Sequence, residues 1–231
     1  MTRHRLSALL LLCATTCFAR DAVPVKACTT ADAPPETRAL EERGLHLAVE
    51  KCFAYADKTG DYALYLSGTS DRRYPDETLS TAVAAQLFRK APDGSMALQW
   101  VIRDHAGKDE AGVSFSPHLM EFPDLAGDGV VTPMVVYQFA VFKEGTSDVV
   151  DDDSFSGRIK LIWFHGTTKI AIRAITGGLD GDRATRATDS FYALPKKERA
   201  YLAHKLEKMY MDQDFGFDNS YEFYPQKEKG Q

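Results

Sequence analysis

A mainly β chain with one C-terminal helix is what this sequence predicts: an α+β class built on a twisted antiparallel sheet or sandwich. Three observations predict it. Runs of β-branched and aromatic residues recur between Gly, Asp and Pro turn signals. The most β-prone run, over residues 130–142, reads VVTPMVVYQFAVF. The hydrophobic period changes from two to that of a helix only after Pro195.

The first 19 residues stand apart from that body. MTRHRLSALLLLCATTCFAR opens with Arg3 and Arg5, continues with an apolar run and ends in small residues before Arg20, the pattern of a secretory signal peptide over 1–19. The run is well short of the roughly 18 apolar residues a membrane span needs. Export to the periplasm is the implied location. Losing Arg3 and Arg5 with this leader takes the net charge from −5 to −7. Such a balance disfavours nucleic acid and anionic membranes, and suits a cationic protein partner. Cys13 and Cys17 leave with the leader, so Cys28 and Cys52 remain as one pair, expected to be joined in an oxidising compartment. Closing that loop stabilises by roughly 2–4 kcal/mol in a chain-entropy model.

Residues 20–44, rich in Ala, Pro and charge, read as an N-terminal tether with a short helix over about 35–43, stopped by Gly44. Residues 45–231 read as a single β-rich domain. Leu45, Leu47 and Val49 alternate with polar neighbours, predicting a strand over 45–56. Asp57 to Gly60 is a hairpin connection, and 62–67 is the returning strand. Residues 78–90 mix alanines with Thr78, Thr81 and Val83; the turn APDGS and the plain strand MALQWVIRDH that follow favour strand over helix. HAGKDEAG is expected as a polar loop. Pro133 must sit at the start, the edge or a bulge of the 130–142 strand. RIKLIWFHGTTKIAIRAI predicts a hairpin. Its first arm puts Ile159, Leu161 and Trp163 on one side and Ile162 and Phe164 on the other, so it is expected to be covered on both faces. Last, a helix is expected at about 196–211, with Leu202, Leu206 and Met209 inward and Lys197, Lys205 and Lys208 outward.

Catalytic patterns are scarce. GxSxG, HExxH and phosphate-loop glycine spacings are all missing from the chain. Among the histidines only His165, beside the hairpin turn, and His118, after Pro117, stand out, and both are expected to be ordinary exposed residues. The expectation is a protein that is not an enzyme. Its candidate partner-binding residues are the acids of two polar loops: Asp148, Asp151, Asp152 and Asp153 in the first, Asp180 and Asp182 in the second.

The stretches PDLAGDGVVTPMVVYQF and DDDSFSGRIKLIWFHGTTKIAIRAITG resemble a group of bacterial envelope proteins labelled surface-polysaccharide biosynthesis proteins. In that group an Asp-rich turn of the form DxDGDG precedes a β-run and a KLIW/GTKYAIRG hairpin. The resemblance covers roughly residues 55–178 and implies an accessory or sugar-binding role in envelope polysaccharide metabolism. The turn also looks like a calcium loop, with Asp124 first and Asp128 fifth. Ala126 at the third position and Val135 at the twelfth supply no side-chain oxygen, so a structural turn with a degenerate calcium site is expected, and no other cofactor is implied. By type, a small exported acidic chain without a catalytic set is similar to periplasmic immunity proteins. That analogy implies stoichiometric occlusion of a cationic secreted toxin.

Overall fold

The computed structural model describes residues 23–74, 77–143, 146–147 and 156–228. The expected leader, and with it residues 1–19, lies outside the described residues, as do Asp148, Asp151, Asp152 and Asp153. In chain order the elements begin with β1 (Lys26–Ala27), α1 (Pro35–Arg38), β2 (Glu41–Glu42), β3 (Leu45–His46), β4 (Ala48–Asp57) and β5 (Gly60–Gly68). They continue with β6 (Arg72–Arg73), β7 (Thr78–Leu79), β8 (Ala82–Lys90), β9 (Met96–His105), β10 (Glu110–Phe115) and β11 (Val135–Val141). The chain closes with β12 (Arg158–His165), β13 (Thr168–Ile175), β14 (Ala184–Ala187), α2 (Asp189–Ala193), α3 (Lys196–Met211) and β15 (Gln226–Lys227).

Two sheets carry the architecture. The first has strand order β1-β4-β5-β8-β9 and the second β10-β11-β12-β13-β14-β15. Neighbours pair antiparallel except β14 with β15, which is parallel. The mainly β class with a C-terminal helical region therefore holds.

The layers follow from the alternation of side chains. Leu64, Leu66, Val83, Ala85 and Ile102 of the first sheet meet Val135, Tyr137, Phe139, Ile162 and Phe164 of the second in one core. The opposite face of the second sheet, through Ile159, Leu161, Trp163, Ile170 and Ile172, packs against Leu202, Leu206 and Met209 of α3. The two-sided apolar pattern of β12 thus reports a sheet sandwiched between another sheet and a helix. The outer face of the first sheet is covered too. Tyr65 and Phe88 pack with Ala33 and the Cys28–Cys52 pair, and Ala84 packs with Leu40 and Leu47. Cover on both faces explains why β8 is buried from Ala82 to Phe88, and why small alanines occur in a strand there. Residues expected as a tether thus lie along the sheet, with Thr37 and Leu40 buried. Cys28 and Cys52 are disulfide-bonded, with Cα atoms 5.0 Å apart.

Several local expectations change in three dimensions. The short N-terminal helix ends at Arg38 rather than running to residue 43. Strand pairing over 45–56 breaks at Leu47, whose N–H donates instead to the Leu40 carbonyl. Part of the expected loop HAGKDEAG is strand, because Glu110 to Phe115 pair with β11. The strand expected over 130–142 starts only at Val135, after Pro133, and the preceding residues belong to a loop closed by a bridge between Glu121 and Met134. Lys205, expected in solvent, is buried, and its ammonium reaches Glu121 Oε1 at 2.7 Å. No described helix is long and apolar enough to cross a membrane.

Candidate functional site

Beyond the part of the second sheet that the first sheet covers, the same inner face continues as a cationic surface. In β12 the positions that face the first sheet are even-numbered. Ile162 and Phe164 are buried there, and Trp100 of β9 stacks on Phe164 with ring centroids 4.7 Å apart. Toward the start of β12 the same face changes to Lys160 and Arg158. Register then places Tyr137, Lys160, Arg173 and Arg186 directly opposite one another on β11, β12, β13 and β14. Neighbouring strands lie about 4.8 Å apart, so the three cations form a row about 10 Å long. Like charges directly opposite each other destabilise a sheet. A row of three is therefore a cost that the fold carries at this one place.

The three cations of the row line a cavity of about 280 Å³ together with Arg158, with Ile175 and Ala184 as apolar wall and Glu228 at the rim. That volume suits one small ligand group rather than a large cofactor. Lys169, on the same face of β13 as Arg173, adds a fifth cation nearby.

Carboxylates compensate part of this charge. Glu110 takes the Arg158 guanidinium in a fork, Nε to Oε1 and Nη2 to Oε2, the second at 2.9 Å, and the guanidinium carbon sits 3.3 Å above the centre of the Phe139 ring. Asp104, reaching over from β9, accepts from Lys160 Nζ, from the Tyr137 hydroxyl at 2.9 Å and from the His105 N–H at 3.0 Å. Burial by itself raises the Asp104 pKa; the Lys160 ammonium and the other two donors override it and hold the carboxyl below its ordinary value. Tyr137 moves the other way, raised first by burial and then by the Asp104 charge. Glu228 pairs with Arg173 Nη1. Five cations thus face three carboxylates, and among the described residues Lys169 and Arg186 have no ion-pair partner. The Lys169 pKa is lowered, first by loss of solvation and then by Arg173 and Lys160. Its side chain keeps solvent access, so the cationic neighbours are the better-founded cause.

The backbone that aims Arg158 depends on Gly157. Its φ is +76°, and a Cβ there would stand 2.2 Å from the Phe139 carbonyl oxygen. Only glycine allows β12 to begin this close to β11.

The residues singled out in the sequence lie elsewhere. Asp124 serves its own turn: Oδ1 accepts the N–H of Gly127 at 2.7 Å and of Asp128 at 3.0 Å, and Oδ2 that of Gly129 at 2.9 Å. Asp128 Oδ1 accepts the Val130 N–H, and the Lys58 ammonium stands 3.8 Å from Asp128 Oδ2. Four main-chain donors thus hold three of the four side-chain oxygens of Asp124 and Asp128 within the turn. The stretch is anchored as well, at its start through Glu121 to Tyr201 and Lys205, and within the turn through the buried side chain of Leu125. Asp180 pairs with Arg183 Nη1 at 2.9 Å, and Asp182 Oδ2 accepts the Leu179 N–H at 3.4 Å, both within a single 3₁₀ turn. His165 Nδ1 lies 3.0 Å from Oε2 of the buried Glu198, without the alignment of a hydrogen bond. His118 is 4.0 Å from Asp214. Among the described residues no group of three or more His, Cys, Asp and Glu side chains is gathered to hold a metal.

The cationic row was missed because a strand's polar positions are read as solvated by default. The available signal was the change along one face of β12 from Arg158 and Lys160 to Ile162 and Phe164, opposite a β13 arm carrying Lys169 and Arg173 at the same period. The chain matches no protein-family model, no curated protein sequence and no solved structure.

Proposed function

We propose that this protein is a binding protein of the bacterial envelope that holds an acidic sugar residue of a polysaccharide in the cavity at Arg158, Lys160, Arg173 and Arg186, without turning it over. The observation that carries the reading is the register of Lys160, Arg173 and Arg186 on three adjacent strands. A bound anion would offset the repulsion of that row. The mixture of groups narrows the ligand further. Cations beside an apolar wall suit a molecule that carries both an anion and a C–H face, whereas a bare phosphate has no use for the wall. The exposed Ile175 and the neighbouring Ala184 offer apolar surface to the C–H face of a sugar ring.

Titration calorimetry with trigalacturonic acid tests this. Binding is expected to weaken with salt, to fall at least tenfold in Arg186→Ala, and to vanish for a neutral trisaccharide of the same linkage. Equal binding of the acidic and neutral trisaccharides, or of neither, would refute the reading.

A second reading, occlusion of a cationic secreted toxin, is favoured by the exposure of Asp180 at the loop surface. It requires a basic partner captured through Asp148, Asp151, Asp152, Asp153, Asp180 and Asp182. Replacing those acids by alanine and leaving the cavity intact separates the two readings.

A further inference from the structure

We infer that the Glu228 side chain stands, in the ligand-free protein, where the ligand's own carboxylate binds, so that the cavity takes a uronic acid residue in exchange for Glu228. This rests on the proposed reading of the cavity as an anionic-sugar site and specifies which atoms the sugar meets.

Glu228 lines the cavity, Asp104 and Glu110 are bonded to its cations Lys160 and Arg158, and the three carboxylates are held very differently. Asp104 is 14% exposed and accepts from Lys160, Tyr137 and the His105 N–H. Glu110 is 13% exposed, forks with Arg158 and accepts the Gly107 N–H at 2.6 Å. Both are built into the wall. Glu228 is 36% exposed and pairs with Arg173 alone, itself 40% exposed. It is the one acid of the three that a rotation of its own side chain releases into solvent.

Its departure leaves the fold of the tail intact. The segment that carries it is attached by other means: β15 pairs with β14, the Glu228 N–H donates to the Ala187 carbonyl at 3.2 Å, and the Tyr192 hydroxyl donates to the Pro225 carbonyl at 2.7 Å. Lys227 Nζ further pairs with Asp189 Oδ1 at 3.1 Å. A carboxylate needed only to fasten the tail would be redundant here.

With Glu228 turned away, Arg173 joins Arg186 as a lining cation without a carboxylate. An incoming carboxylate meets the planar Arg173 guanidinium, whose Nη1 Glu228 has vacated. Asp104 and Glu110 stay bonded to Lys160 and Arg158 and keep those two cations in place. The exchange also sets selectivity. A neutral sugar cannot replace the Glu228–Arg173 pair, so it has to bind with that pair in its way. An acidic sugar replaces one carboxylate with another at small net loss.

The test is calorimetry with trigalacturonic acid on the wild-type chain and on Glu228→Gln, with inorganic phosphate as a second probe. Glu228→Gln keeps shape and removes the internal competitor. Its affinity for trigalacturonic acid is expected to rise about two- to fivefold, the range that an exposed ion pair spans, with the melting temperature unchanged. Glu228→Ala is expected to behave alike, which separates loss of the charge from an accident of the amide. Phosphate is expected to bind at least tenfold more weakly than the trisaccharide to both proteins. Unchanged or weaker binding in both Glu228 variants, while Arg186→Ala still lowers it at least tenfold, overturns the exchange and leaves the anionic-sugar site standing. Phosphate binding as tightly as the trisaccharide overturns the assignment to a uronic acid. Failure of trigalacturonic acid to bind the wild type and both Glu228 variants overturns the site reading and the exchange together.

Discussion

Replacing Asp104 by asparagine keeps the shape of the bridge between the two sheets and removes its charge. In the native chain that carboxylate holds Lys160 and the Tyr137 hydroxyl, and the two charged side chains are 14% and 16% exposed. The asparagine still accepts from Tyr137, so the loss falls on Lys160, which is left in register with Arg173 and one turn of the pleat from Arg158. A fully exposed pair is worth about 0–1 kcal/mol and breaking a buried one costs about 3–5 kcal/mol. At this partial burial the expected cost is about 2–3 kcal/mol, a fall in Tm of roughly 5–10 °C for a domain of this size. The pH dependence carries a sign. The folded carboxyl lies below its ordinary value. Its contribution is therefore present above the unfolded pKa of about 3.9 and is lost as pH falls through the lower folded value. The assay is urea unfolding of the wild type and Asp104→Asn at pH 7 and at steps down to pH 2. The gap between them is expected to be widest at pH 7 and to narrow progressively as pH falls below about 4. Equal midpoints at pH 7, or a gap that is undiminished at pH 2, would refute the reasoning that the charge of Asp104 joins the two sheets.

Two further outcomes test other parts of the structure. Gly157→Ala forces a methyl against the Phe139 carbonyl in a left-handed backbone position, so a loss of at least about 2 kcal/mol is expected by denaturant titration. Asp124→Ala removes the acceptor of three main-chain N–H groups and is expected to cost about 1–3 kcal/mol. Chelator, by contrast, is expected to leave the wild-type Tm unchanged, and calcium titration to show no binding tighter than millimolar; a chelator-sensitive Tm would restore the metal reading of that loop.

Some of this protein is written locally and so is legible in its sequence. The hairpin of β12 and β13 follows from turn residues flanked by β-branched runs. Helix α3 begins after Pro195 and repeats Leu202, Leu206 and Met209 at helical spacing, and both ends match the expectation. The two-sided apolar pattern of β12 announced cover on both faces, because a buried face needs apolar side chains whatever covers it. The turn at Asp124 was readable for the same reason: its acceptors and donors lie within a few residues of each other.

What the tertiary structure alone decided depends on which distant residues meet. Glu110 to Gly112 read as the end of a polar loop and belong to a strand because β11 offers Glu110 to Phe115 partners. Lys205 has the look of a solvent residue on a helix and is buried because Glu121, from 84 residues away, meets its charge. The cationic row is the extreme case. Lys160, Arg173 and Arg186 are unremarkable polar positions in their own strands. Strand register sets them opposite one another, and the edge of the first sheet decides where apolar cover stops and charge begins. Side-chain period is local and sequence carries it; register and the reach of a covering layer are sums over the whole fold, and they place the charges.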